Sequence, residues 1–197
     1  MISRILILCA WFVSGPVLAQ SVARPPVKPG DQWQFTVSAG LTGQQGRTWI
    51  VNAVTPAGIE GTENGALLRL TLDLGVLDSP RNAESNPAPL RFPLSVGQRW
   101  QYTSNWVSKI RNATGSANYT VAVVAYERIR VPAGDFDAFR IESKADMQGT
   151  AINVQLDADL DAIYWYAPAA RAIVKSISTN PYTGTATVEL VSYRLQP

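Results

Sequence analysis

Apolar and polar residues alternate along most of this chain with a period of two, the spacing of a β-strand that buries one face. In residues 30–37 (GDQWQFTV), Trp33, Phe35 and Val37 share a face, and Gln32, Gln34 and Thr36 take the other. Residues 39–46 are rich in Gly and Gln and read as a hairpin loop, with 47–54 as the returning strand. Thr55-Pro56-Ala57-Gly58 is a turn, since Pro fixes one φ and Gly accepts the positive φ that ends it. In residues 66–74, Leu68, Leu70, Leu72 and Leu74 line up opposite Arg69, Thr71 and Asp73. Residues 76–90 are polar and carry Pro80, Pro87 and Pro89, which predicts a boundary between halves or a mobile surface loop.

Residues 92–106 (FPLSVGQRWQYTSNW) read as a turn leading into a strand with Trp100, Tyr102, Ser104 and Trp106 on one face. A polar loop is expected at 107–116, then strands at 119–131, 137–144, 152–166, 172–178 and 183–195. In the last strand the apolar parity switches between Leu190 and Val191, which predicts a bulge. No segment holds a 3.6-residue period. The expected fold is all-β, an antiparallel meander curling into a half-barrel or barrel.

The chain also echoes itself. Pro26-x-x-x-Gly30-x-x-Trp33-Gln34-Phe35-Thr36 matches Pro93-x-x-x-Gly97-x-x-Trp100-Gln101-Tyr102-Thr103, and Pro56-Ala57-Gly58 matches Pro132-Ala133-Gly134. Two similar β units, 20–90 and 91–197 within one domain of residues 20–197, account for the echo. The alternative is that this pattern is simply a good way to start a strand.

Composition narrows the chemistry. Arg4, the apolar run 5–13 and the small residues Val17-Leu18-Ala19 form a secretory signal peptide, residues 1–19, cut after Ala19. Leu8 is too bulky to precede a lipidated Cys9, so lipidation is not expected. The expected location is periplasmic or secreted, and no later stretch has membrane-spanning length. The one Cys leaves with the signal and there is no His, which excludes Ser-His-Asp and Cys-His catalysis and a Cys/His zinc site. The 17 basic residues are scattered among 15 acidic ones, so no nucleic-acid surface is expected.

Asp157, Asp159 and Asp161 project from one strand face and are the weak candidates for a metal. No Gly lets the chain curl round an ion there, and a solvated outer face is the better reading. No cofactor is expected. Glu127 falls on the apolar parity of its strand, as a buried or functional carboxylate would. Asp135, Asp137, Glu142 and Asp146 could serve a glycan hydrolase, but their spacing selects no pair. The aromatics are the stronger resource. Trp100, Tyr102, Trp106, Tyr164, Trp165 and Tyr166 could pack a core, or line a concave sheet face that takes a lipid, an acyl chain or a glycan.

Val-Pro-Ala-Gly-Asp-Phe at 131–136, Tyr164-Trp165-Tyr166-Ala167-Pro168 and Ile173-Val174-Lys175 resemble a group of exported bacterial β proteins of unknown function. Their pattern is V-P-A-G-x-F followed by W-Y-A-x-G-x-G-x-V-K, and F-P-L-x-V-G-x-x-W-x-Y is also typical of them. This chain departs where the group has glycines, with Pro168-Ala169-Ala170-Arg171-Ala172 at the turn. The resemblance implies an antiparallel sheet similar in outline to periplasmic carriers of lipoproteins or acyl chains. It transfers no catalytic residue. The reading that follows is a non-catalytic exported protein binding an apolar or envelope-derived ligand. A structural module of the envelope is the alternative, and a carboxylate-dependent glycan hydrolase ranks third.

Overall fold

The computed structural model describes residues 21–40 and 43–197, so the signal-peptide reading lies outside the described residues. Among the described residues fourteen strands run in order: β1 (Ser21–Val22), β2 (Gln32–Ala39), β3 (Gln44–Thr55), β4 (Gly58–Glu63), β5 (Ala66–Leu70), β6 (Val76–Asp78), β7 (Asn82–Glu84), β8 (Leu94–Ser95), β9 (Arg99–Ser108), β10 (Ala113–Val131), β11 (Gly134–Ala151), β12 (Val154–Ala167), β13 (Ala172–Asn180) and β14 (Gly184–Arg194). A 3-10 turn at Pro168–Ala170 links β12 to β13.

Apart from the small β1–β8 pair, the strands close into one barrel, in the order β10-β11-β12-β13-β14-β2-β3-β4-β5-β6-β7-β9 and back to β10. Every pairing is antiparallel. Closure leaves the ring without a free edge. The ring divides into two meanders of six strands, β2 to β7 and β9 to β14, which meet at β7–β9 and β14–β2.

The sequence echo is a geometric one. Gly30 and Gly97 have φ of 89° and 90°. Each donates its N–H to a valine carbonyl on the next strand, Gly30 to Val51 at 2.8 Å and Gly97 to Val123 at 2.9 Å. Those valines donate back to Asp31 and Gln98, both at 2.9 Å. The side chains of Asp31 and Gln98 each accept the N–H three residues upstream, from Lys28 and Ser95. A bulge follows each valine, where the ladders skip Asn52 and Val124. Each hairpin then closes on its Pro-Ala-Gly turn, pairing Thr55 with Gly58 and Val131 with Gly134. A strand-starting recipe alone would not place matching bulges some twenty residues downstream.

Two segments differ from their sequence expectation. Residues 76–90 hold β6 and β7, which complete the wall between β5 and β9. Their brevity, three residues each, hides any alternation. The polar stretch 107–116 is only a short turn, since β9 runs to Ser108 and β10 starts at Ala113. Its inward positions are small, Ala113, Gly115 and Ala117, and small residues carry a weak apolar signal. The expected bulge in the last strand falls at Val191, where the β14–β2 register shifts.

The core lies inside the ring, with Trp33, Leu68, Leu70, Trp100, Val121, Phe139, Ile141, Tyr166 and Leu190 all buried. A second cluster fills the ring between β10, β11 and β12, where Ala117, Ala145, Met147 and Ala158 meet Trp106. The outward positions of β9 are Arg99, Gln101, Thr103 and Asn105, all exposed. No helix among the described residues is long and apolar enough to cross a membrane.

Candidate binding cavity

The ring is not filled throughout. A cavity of about 260 Å³ lies inside it. Trp33 and Phe35 (β2), Trp49 (β3), Leu70 (β5) and Val188 (β14) supply most of its apolar wall. Tyr102 (β9), Tyr119 (β10) and Tyr164 (β12) form its aromatic side. These positions follow from register: Tyr102 pairs with Tyr119, and Tyr164 pairs with Ser176, so each pair shares the inner face.

The Tyr102 and Tyr119 rings stack with centroids 4.4 Å apart and planes 5° off parallel. Burial pushes the Tyr164 phenol up to about 12, and the charge of Glu84 adds to the shift. Tyr102 and Tyr119 are raised further, chiefly by burial. All three therefore stay neutral at physiological pH and can donate as well as accept.

A smaller polar pocket of about 160 Å³ adjoins the cavity and shares Arg47, Trp49, Val76 and Glu84 with it. Glu63, Ser79, Arg81 and Asn82 complete its wall. Glu63 is buried and lies 3.7 Å from both the Arg47 and the Arg81 guanidinium. It also accepts the Trp49 indole N–H at 3.0 Å. Arg81 donates to Gln45 at 2.8 Å. Burial pulls the Arg47 pKa down, while Glu63 pulls it back up. Burial raises the Glu84 pKa, and the Ser104 hydroxyl donating at 3.3 Å works against that.

At the other end, Arg171 reaches the cavity wall from a left-handed backbone, φ 52° and ψ 29°. Its guanidinium donates to the Pro26 carbonyl at 3.0 Å, and to Asp31 and the Gln196 carbonyl at 3.3 Å. Asp31 also accepts the backbone N–H of Gln196 at 2.7 Å. This clamp holds the lead-in, the start of β2 and the C-terminal residues together.

Of the aromatics singled out in the sequence, Tyr102 and Tyr164 line the cavity. Trp100 is a core residue whose indole donates to the Ala88 carbonyl at 2.8 Å. Tyr166 is fully buried and meets the Phe92 ring edge-on at 5.3 Å. Trp106 packs over Gly115 and Gly149. Trp165 faces away from the cavity and donates to Glu127 at 2.8 Å, which gives the in-register Glu127 an outer-wall role. Asp157, Asp159 and Asp161 are exposed on β12, and no group of three or more metal-ligating side chains converges among the described residues. Asp135 is paired with Arg130, and Glu142 with Arg140.

Sequence reasoning missed Arg47, Glu63, Arg81 and Glu84. Arg47 carried a readable signal, a charge on the parity of Trp49 and Val51. Glu84 did not, because its strand is too short to show a parity.

A closed antiparallel barrel with a polar-ended cavity is the class these features define. Solved structures share the architecture. A protein inferred to be exported, with a YmcC-like fold, from Bacteroides fragilis matches with a TM-score of 0.52 at 16% identity, over 88% of this chain and 99% of its own. An inferred lipoprotein from Parabacteroides distasonis matches with a TM-score of 0.55 at 12% identity, over 89% and 100%. The hypothetical lipoprotein YmcC from Escherichia coli matches with a TM-score of 0.54 at 12% identity, over 86% and 88%. At these identities the likeness is one of fold. No protein-family model matches the chain, and no curated protein does.

Proposed function

We propose that this is a non-catalytic protein of the bacterial cell envelope, periplasmic or secreted, that binds a small, largely apolar ligand inside its barrel. The cavity is the observation that carries this reading. It is walled by Trp, Phe, Leu, Val and Tyr side chains, with a few polar groups at its ends. Binding sites for small molecules have this composition, and the volume, just below the usual range, limits the ligand to a small one. The company of exported proteins and lipoproteins that share the fold supports the envelope location.

A carboxylate-dependent hydrolase fits less well. Glu63 is engaged by two guanidiniums and an indole N–H, which leaves it a poor nucleophile or base. The test is native mass spectrometry of protein purified from periplasm, paired with tryptophan fluorescence on adding medium-chain lipids. A co-purifying small apolar molecule, and an emission change as Trp49 and Trp33 are covered, is the expected outcome. A ligand-free protein whose emission ignores every lipid would sink the reading.

A further inference from the structure

The cavity adjoins a charged pocket on one side, while the Arg171 guanidinium at its other end is already committed to Pro26, Asp31 and Gln196. We propose that the barrel selects small amphiphiles with an anionic head, a carboxylate in the first instance. The tail lies between Phe35, Leu70, Val188 and the three tyrosines, and the head lies beside Arg47 and Arg81. The inference rests on the ligand-binding reading above and adds the class of ligand.

The argument is one of charge and placement. Arg47 belongs to both pockets, so its guanidinium stands at their junction. Arg47 and Arg81 share a single carboxylate, Glu63, and each is 3.7 Å from it, too far for a hydrogen bond. Guanidinium N–H groups are thus left for a second anion, and a carboxylate can take two of them side by side. The fourth charged group of the polar pocket is Glu84. It faces Tyr102 and Ser104 from β9, Tyr119 from β10 and Tyr164 from β12, with Arg47 across the shared wall. None of the groups on β9, β10 or β12 brings a positive charge, and burial favours its protonated form. Among the described residues Glu63 is the one carboxylate within ion-pairing distance of Arg47 and Arg81, and an anionic head would give the two guanidiniums a second.

Decanoate and decanol, which share a tail and differ in the head, test this by titration calorimetry on the full mature protein. Decanoate should bind about tenfold or more tightly than decanol. The double substitution Arg47→Gln with Arg81→Gln should remove that difference while decanol still binds, which also shows that the cavity is intact. Equal affinity of the wild-type protein for both would overturn the anionic head and leave the apolar-ligand reading standing. Binding of neither would overturn both. Should the double variant fail to fold, the single variant Arg81→Gln decides, and an unchanged preference for decanoate over decanol overturns the proposal.

Discussion

Arg171 holds a left-handed backbone that costs a non-glycine residue roughly 1–2 kcal/mol. The structure shows what this arginine does there. It is the partner of Asp31, which is 0% exposed. Arg171→Ala and Arg171→Gly both remove the clamp, but only the alanine keeps the strain. The glycine variant should therefore be more stable by about 1 kcal/mol in urea unfolding. Asp31→Ala should cost more than either, about 3–5 kcal/mol, because it strands the guanidinium and leaves the Lys28 and Gln196 N–H groups without their acceptor. Glu84 acts through pH. Its folded pKa is raised, so the folded state holds the proton longer than the unfolded chain. Stability should fall as pH rises from the unfolded value, about 4.3, through the folded one. Thermal melts across that window should slope downward, and Glu84→Gln should flatten the slope. Neither the clamp nor Glu84 was legible in the sequence, because partners 140 residues apart leave no local pattern.

At the scale of elements, alternation was enough for the long strands. β2, β9 and β12 were read within a few residues, because large apolar side chains mark their inner faces. The start of β10 and the end of β11 were not, and the reason is Trp106. Its ring lies 2.7 Å from where a Cβ on Gly115 or Gly149 would stand. These two glycines face each other across the β10–β11 ladder. They make room for one large ring, so the apolar signal of the region sits on β9 alone. Gly149→Ala should destabilise by roughly 1–3 kcal/mol, since its Cβ would also meet the Thr114 carbonyl at 2.5 Å. Trp106→Ala alone removes a large, partly buried side chain and should cost about 3 kcal/mol, the low end for a tryptophan. If the ring is what excludes the new methyl, the double variant should cost less than the two singles added together, a coupling that a double-mutant cycle reads directly. Strict additivity would mean that the carbonyl contact dominates.

The molecule as a whole is two matched meanders that are not equal. The second has long ladders, while β6 and β7 of the first touch at a single paired position, Asp78 with Ala83. Alternation alone left the barrel and half-barrel readings open. Closure depends on these six residues of wall, and their pattern is too brief to read. Amide exchange should be fastest along β6 and β7 and slowest along β10 and β11.

That weak seam runs beside the polar pocket, whose wall includes Val76, Ser79, Asn82 and Glu84. For the ligand proposed above, this is the stretch of wall where the fewest hydrogen bonds have to part. Occupancy and breathing then become one equilibrium. A ligand seated inside should slow exchange at 79–84 well before it alters the amides of β10, and its residence time should track how often those two short strands come unzipped.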